Sequence, residues 1–277
     1  MIWKTRRRTL DLTRHGAVMG ILNVTPDSFF DGGRFAQVDD AVQQARAMIR
    51  EGADIIDIGG ESTRPGAESI SADEELSRAI PVIRRLRAES TEVLISIDTS
   101  KASIASAAVE AGADIINDVT ALRGDAAMPA LAASSGAAIC LMHMRGTPRD
   151  MQKNPHYENV VTEVREFLEE RVEAALSAGI ARERLAIDPG IGFGKTAEHN
   201  LELLRDPAAL TSKMPDRPIL IGVSRKSFLA GSADDRLWPT VALTSLLRGR
   251  GVRIFRVHDV RPNREALRMT EAILGDS

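Results

Sequence analysis

Short runs rich in Ile, Val, Leu and Ala recur along the chain, and each is followed by a stretch in which apolar and polar positions alternate at helical spacing. The runs are AVMGILN (17–23), DIIDIGG (54–60), VLISID (93–98), DIINDV (114–119), AAICLMH (137–143), LAIDPG (185–190), PILIGVS (218–224) and RIFRVHD (253–259). The pattern between them predicts helices near 38–51, 73–88, 100–111, 125–134, 158–178, 197–211, 237–249 and 263–274. Strand–helix alternation implies a parallel sheet covered by helices. Eight such units in about 250 residues match an α/β fold, a single (β/α)₈ barrel. An open, doubly wound sheet is the alternative, which periodicity alone does not separate from a barrel.

Two details support repeated units. GADII occurs at 52–56 and again at 112–116, where a helix ends at Gly and a strand begins. Glycine supplies the left-handed helix cap and the β-branched pair enters the sheet. Ahead of the first strand, RTLDLTR alternates Leu10 and Leu12 with polar residues, the pattern of a short hairpin closing the bottom of the barrel. No linker or low-complexity segment divides the chain, so residues 1–277 read as one domain.

Composition narrows the function classes. Hydrophobic residues make up 43% and charged residues 27%, enough for a sizeable core. The net charge is −3, which gives no attraction to nucleic acid or to an anionic membrane. No run is long and apolar enough to span a bilayer, and the first residues lack a signal-peptide stretch, so a cytoplasmic protein is expected. The one cysteine, Cys140, excludes an internal disulfide, and its apolar setting predicts a buried thiol.

Nearly every apolar run ends in a polar group: Asn23, Glu61, Asp98, Asn117, His143, Asp188, Ser224 and His258. In a closed barrel these ends share the rim where active sites are built. Asp98, Asn117 and Asp188 suit the N–H edge of a flat heterocycle, or alternatively acid–base work or Mg²⁺. Arg64, Arg145, Lys195, Arg225, Lys226 and Arg256 gather on the same face and, with His258, suit a diphosphate. Five of the seven Phe (Phe29, Phe30, Phe35, Phe193 and Phe228) fall in or beside loops on that face, as walls for a planar ligand. PGIGFGKT (189–196) resembles a phosphate-binding loop, but only three residues separate Gly190 from the Gly-Lys-Thr, where that motif needs four. His15 reads as a surface residue.

Taken in order, MGILNVTPDSFFDGG, DIIDIGGESTRPGA, ISIDTSK, INDVTAL, AIDPGIGFGK, GVSRKSFL and RVHDV resemble the dihydropteroate synthases, the pterin-binding enzymes of folate synthesis. The resemblance covers almost the whole chain, and its first two motifs are long and specific. It implies a homodimeric (β/α)₈ barrel that joins 6-hydroxymethyl-7,8-dihydropterin diphosphate to 4-aminobenzoate and releases pyrophosphate with Mg²⁺. It implies that Asp98, Asn117 and Asp188 bind the pterin edge and that Lys226 binds its carbonyl and ring nitrogen. Arg256 would lie over the ring near the diphosphate, Thr63 and His258 would hold the diphosphate, and Asn23 would contact Mg²⁺ or the diphosphate. Phe193, Pro65 and Ser227 would line the aminobenzoate subsite. Phe29, Asp31 and Arg64 would come from two loops, VTPDSFFDGG and GESTRPGAES, that close once diphosphate and Mg²⁺ are bound. Phe30 departs from the family, where that position is often small, and it bears on the shape of the aminobenzoate subsite. The resemblance also implies a homodimer through the last two helices.

Two rival readings stand beside this one. A methyltransferase of the same superfamily, acting on methyltetrahydrofolate, would keep the pterin acids but have no need of ILNVTPDSF, SRKS and RVH. A non-catalytic pterin-binding relative would have lost diphosphate residues, whereas Asn23, Thr63, Lys226, Arg256 and His258 are all present.

Overall fold

The eight apolar runs become strands in the computed structural model, which describes residues 1–25, 33–63, 66–89, 92–229, 231–232 and 235–275, the side chains of 33–36 excepted. A hairpin of β1 (Ile2–Lys4) and β2 (Thr9–Asp11) precedes the strands β3 (Ala17–Asn23), β4 (Ile55–Gly59), β5 (Leu94–Asp98), β6 (Ile115–Asp118), β7 (Ala138–Met142), β8 (Leu185–Asp188), β9 (Leu220–Ile221) and β10 (Ile254–Val257). Helices α1 (Gly33–Arg50), α2 (Ala72–Glu89), α3 (Ala102–Ala111), α4 (Met128–Ser135), α5 (Val160–Ser177), α6 (Ala197–Arg205), α7 (Leu237–Gly249) and α8 (Val260–Leu274) follow the sheet strands in turn. Among the described residues the sheet has eight strands in the order β8-β7-β6-β5-β4-β3-β10-β9, all paired parallel. A parallel bridge between Ile187 and Ile219 joins its two ends, so the sheet is a closed barrel and the open-sheet alternative falls.

Several boundaries differ from expectation for local reasons. The strand expected over 218–224 shrinks to two residues. Pro218 has no N–H to donate, and the chain turns where the Lys226 N–H reaches the Val223 carbonyl at 3.1 Å. The helix expected over 197–211 stops at Arg205, because Pro207 starts a separate 3₁₀ turn through Thr211. Helix α8 begins a turn early, at Val260. The GADII echo is structural: Gly52 and Gly112 have φ of 98° and 117°.

Two apolar layers hold the barrel. Outside it, strand residues such as Val18, Leu22, Ile56, Ile58, Ile95 and Ile97 pack against the helices. Inside, the lower half is filled by Met19, Ile55, Leu94, Ile115, Ala138, Cys140, Ala186, Leu220 and Ile254. The hairpin plugs this end: Trp3 is fully buried against that layer and donates its indole N–H to the Arg184 carbonyl at 3.0 Å. With the lower half filled by side chains, any ligand must enter from the upper rim. Phe29, Phe30, Asp31, Arg64 and Pro65 lie outside the described residues, as does the Phe35 side chain.

Candidate active site

Side chains alternate across a strand, so the inward set of each strand continues upward from the apolar layer. Above Ile55 on β4 comes Asp57; above Leu94 on β5 come Ser96 and Asp98; above Ile115 on β6 comes Asn117. Ala186 on β8 is followed by Asp188, and Ile254 on β10 by Arg256. Sheet register sets their heights, with Asp98 opposite Asn117, and Met142 opposite Asp188. The upper half of the barrel is therefore a polar floor built on an apolar plug.

One cation organises that floor. Arg256 donates from Nε to Asp57 Oδ2 at 2.6 Å and from Nη2 to Asp98 Oδ2 at 2.7 Å. Asn117 donates its amide to Asp57 Oδ2 at 3.2 Å, which leaves its own carbonyl oxygen for a ligand donor. Asp188 Oδ1 accepts the Gly190 N–H at 2.7 Å. Asp98 Oδ1 and Asp57 Oδ1 are buried and accept no hydrogen bond among the described residues. Buried acceptors of this kind are normally satisfied, and N–H donors on a ligand would satisfy them.

The electrostatics follow from burial and pairing. Burial pushes the Asp98 carboxyl up, with Arg256 pulling against it. Burial raises Asp188 to about 6, against the Gly190 N–H and the charge of Lys226. Lys226 is lowered to about 8 by burial and by Arg256. Burial opposes the Arg256 charge, but Asp57 and Asp98 outweigh it and raise its pKa. At neutral pH Asp188 is largely ionised, while Asp98, pushed up to about 7 by burial, is protonated in part, beside the cations Lys226 and Arg256.

Lys226 sits with its Nζ 4.2 Å from the centroid of the Phe193 ring, and Phe193 packs with Val119, Met142, Met144 and Met151. His258 Nδ1 lies 3.0 Å from Ser224 Oγ, which also accepts the His258 backbone N–H at 3.2 Å. The hydroxyl and the imidazole share one hydrogen bond, whose direction follows the ring's tautomer. Beside Asp98 opens a cavity of 540 Å³ lined in part by Thr63, Thr120, Met144 and Arg149. Ser227 is exposed beside Lys226, and Asn23 ends β3 with its Oδ1 near Gly59.

A family model described as "Pterin binding enzyme" matches residues 19–258. The chain belongs to the pterin-binding enzyme family. A dihydropteroate synthase of Escherichia coli (strain K12) is 46% identical over 270 residues, covering 96% of this chain and 94% of the relative. The crystal structure of Yersinia pestis dihydropteroate synthase in a sulfonamide drug complex aligns with a TM-score of 0.92 and 43% identity, covering 99% of this chain and 100% of that one. The Xanthomonas albilineans dihydropteroate synthase with 4-aminobenzoic acid aligns at 0.91 and 43%, over 99% of each chain.

Within this pterin-binding enzyme, the structure gathers Asp98, Asn117, Asp188, Lys226, Phe193, Arg256, His258 and Thr63 on one rim. It separates other residues that the sequence had grouped with them. Lys195 is buried, and its Nζ donates to His143 Nδ1 (2.8 Å), Gly190 O (3.0 Å) and Phe193 O (3.0 Å). Burial pushes Lys195 down to about 7, and in either protonation state these three contacts leave it no free N–H for a phosphate. Burial and Lys195 together push His143 down to about 2, so it is a neutral acceptor rather than a ligand-facing base. Arg145 lies over the Tyr157 ring and pairs with Glu163, and Arg225 pairs with Asp259. Glu61 stays at the rim, lining the cavity beside Asp98, but its carboxylate is held by Lys101, which also contacts Glu75 and the Ile70 carbonyl. Phe228 is partly buried and packs against the outer core. Cys140 is fully buried beneath the acids, and His15 is a surface group facing Glu271.

Asp57 is the residue that the strand-end reading missed. It lies mid-strand between Ile56 and Ile58, two positions below the rim. Its signal was present in the sequence: a carboxylate inside an apolar parallel strand must find a buried partner. What the sequence did not say was that the partner is Arg256.

Proposed function

We propose that this family member is a dihydropteroate synthase, condensing 6-hydroxymethyl-7,8-dihydropterin diphosphate with 4-aminobenzoate to give 7,8-dihydropteroate and pyrophosphate. The observation that carries this reading is the convergence of three buried acceptors, Asp98, Asn117 and Asp188, with two cations, Lys226 and Arg256, above a sealed barrel floor. A pterin presents a row of ring and exocyclic N–H donors along one edge and a carbonyl beside it. The acceptors match the donors and Lys226 matches the carbonyl.

The chemistry needs a leaving group stabilised and a nucleophile placed. Arg256 and His258, with Thr63, neutralise and hold the diphosphate as the carbon–oxygen bond breaks. The Asp98 and Asp188 carboxylates favour positive charge in the pterin as it loses that bond. The aniline nitrogen is a neutral nucleophile at pH 7, so positioning against the Phe193 wall and Ser227 supplies much of the remaining barrier reduction. Asn23 offers an amide oxygen at the rim. That donor set fits Mg²⁺, which is commonly held by few protein ligands together with substrate phosphates. Bound there, Mg²⁺ would supply charge neutralisation on the diphosphate.

Purified protein with Mg²⁺ and both substrates is expected to form dihydropteroate with a bell-shaped dependence of kcat/KM on pH. Asp98 and Asp188 are raised, so their ionised forms are lost as pH falls through about 7 and about 6. Lys226 is lowered, so its charge is lost as pH rises through about 8. No turnover, with the pterin still bound, would favour the non-catalytic reading; a flat profile between pH 5 and 9 would detach these three groups from the site.

A second part of the reading concerns assembly. Leu247 on α7 is fully buried and packs into the core. Trp238 and Leu246 on α7, and Met269 and Ile273 on α8, are exposed, at 69%, 49%, 64% and 78%. Exposed apolar side chains on two packed neighbouring helices form the kind of patch that a second copy covers. Sedimentation is expected to give a dimer at micromolar concentration, and Met269→Glu with Ile273→Glu is expected to give a monomer. A monomeric parent would reject the homodimer. Residues 1–277 acting as one domain in the cytoplasm complete the reading; no helix among the described residues is long and apolar enough to cross a membrane.

A further inference from the structure

The loop after β8 carries both halves of the chemistry. Asp188 at its start accepts from its own loop through Gly190 N–H, and Phe193 further on faces Lys226. The loop is pressed onto the segment after β7. A Cβ on Gly190 would lie 1.8 Å from the His143 carbonyl oxygen, and one on Gly194 would lie 2.4 Å from the Arg145 carbonyl oxygen. The His143 N–H in turn donates to the Asp188 carbonyl at 2.9 Å.

Inside this sandwich lies a lysine that the mechanism does not use. Lys195 is 3% exposed and spends all three N–H donors internally, on two carbonyls of its own loop and on the imidazole of His143. The contact at Nδ1 ties the His143 ring to the lysine. The ring is held edge-on to Phe167, with centroids 4.8 Å apart. The loop is tied again from outside by the Tyr157 hydroxyl on the Gly194 carbonyl at 2.9 Å, by Gln152 on the Gly192 carbonyl at 2.6 Å, and by Asn200 accepting the Gly192 N–H at 2.7 Å. These ties converge on the short stretch that separates the pterin acid from the Phe193 wall.

We propose that Lys195 and His143 are positioning residues for the aminobenzoate step, cross-linking the 189–195 loop to the end of β7 so that Phe193 is held at a fixed place relative to Asp188 and Lys226. The inference rests on the dihydropteroate synthase reading. Neither residue touches substrate; both act through the loop backbone. Losing the cross-link lets Phe193 drift, while Asp98, Asn117 and Arg256, which stand on other strands, keep their places.

The test separates the two substrates. Lys195→Met is expected to raise KM for 4-aminobenzoate about 10- to 100-fold, the cost of an ångström-scale misplacement, and to leave pterin diphosphate affinity by calorimetry within twofold of the parent. Tyr157→Phe, which removes one tie and alters no charge, is expected to show the same selective rise on a smaller scale, and it decides the matter if Lys195→Met does not fold. His143→Asn keeps an acceptor near the Nδ1 position and is expected to stay near the parent, whereas His143→Leu is expected to behave like Lys195→Met. Unchanged KM for 4-aminobenzoate in Lys195→Met and Tyr157→Phe, or equal loss of affinity for both substrates, overturns the inference. A parent that makes no dihydropteroate instead overturns the reading beneath it, so the two failures are distinct.

Discussion

Arg256→Met is expected to lower the unfolding free energy by about 3–5 kcal/mol and to remove measurable pterin binding, because it leaves buried carboxylates without their counter-charge. Asp57 has no exposed surface and Asp98 very little, and the guanidinium reaches both within 2.7 Å. Without it the two acids repel each other and one takes up a proton. A protonated carboxyl donates where the pterin edge needs an acceptor. Binding therefore fails for two reasons, the lost cation near the diphosphate and the altered acceptor row. Asp57→Leu added to Arg256→Met replaces the broken pair with apolar atoms and is expected to recover most of the stability and none of the activity. Urea unfolding of the parent, the single variant and the double variant, with pterin calorimetry on each, checks this. A single variant as stable as the parent, or a double variant no more stable than the single, would show that Arg256 does not hold the floor together.

Gly190→Ala is the second large expected effect. Gly190 has φ of 66°, and its Cβ would sit 1.8 Å from the His143 carbonyl oxygen, a backbone atom that no rotamer change can move. The left-handed backbone costs about 1–2 kcal/mol for an alanine, and forcing atoms into a packed region adds about 1–3 kcal/mol, so a loss of about 2–5 kcal/mol is expected. Gly136→Ala is the control. Its φ of 74° carries the same backbone cost, but the nearest atom to its Cβ is the Arg6 Cγ at 3.9 Å. Thermal unfolding should place Gly136→Ala modestly below the parent, by the backbone cost alone, and Gly190→Ala well below both. Turnover should fall only in Gly190→Ala, since relieving that clash moves the loop between Asp188 and Phe193. Equal melting temperatures for the two variants would sink the close approach of loop and strand end.

The sequence by itself determined the strand–helix alternation and the family resemblance, and the bridge between Ile187 and Ile219 decided between a barrel and an open sheet. Eight apolar runs alternating with helical stretches left few folds, and the strand-end acids fell on inward positions because period two is a local property of a strand. The ordered motifs added the pterin reading. Local signals failed where partners were distant. Asp57 and Arg256 are 199 residues apart, and their pairing follows from barrel closure and from the registers of β4 and β10. No window of sequence contains that information. Lys195 shows the same limit from the other side. Its loop reads as phosphate-binding by composition and its position reads as rim, yet three positive-φ glycines, Gly190, Gly192 and Gly194, curl the backbone so that its carbonyls turn inward. The lysine then finds those carbonyls and His143 within reach and stays buried. Charge and position along a strand are written in the chain; which charge meets which, and whether a cation faces solvent or its own backbone, is decided when the eighth strand meets the ninth, because only closure fixes the heights and directions of the side chains above the plug.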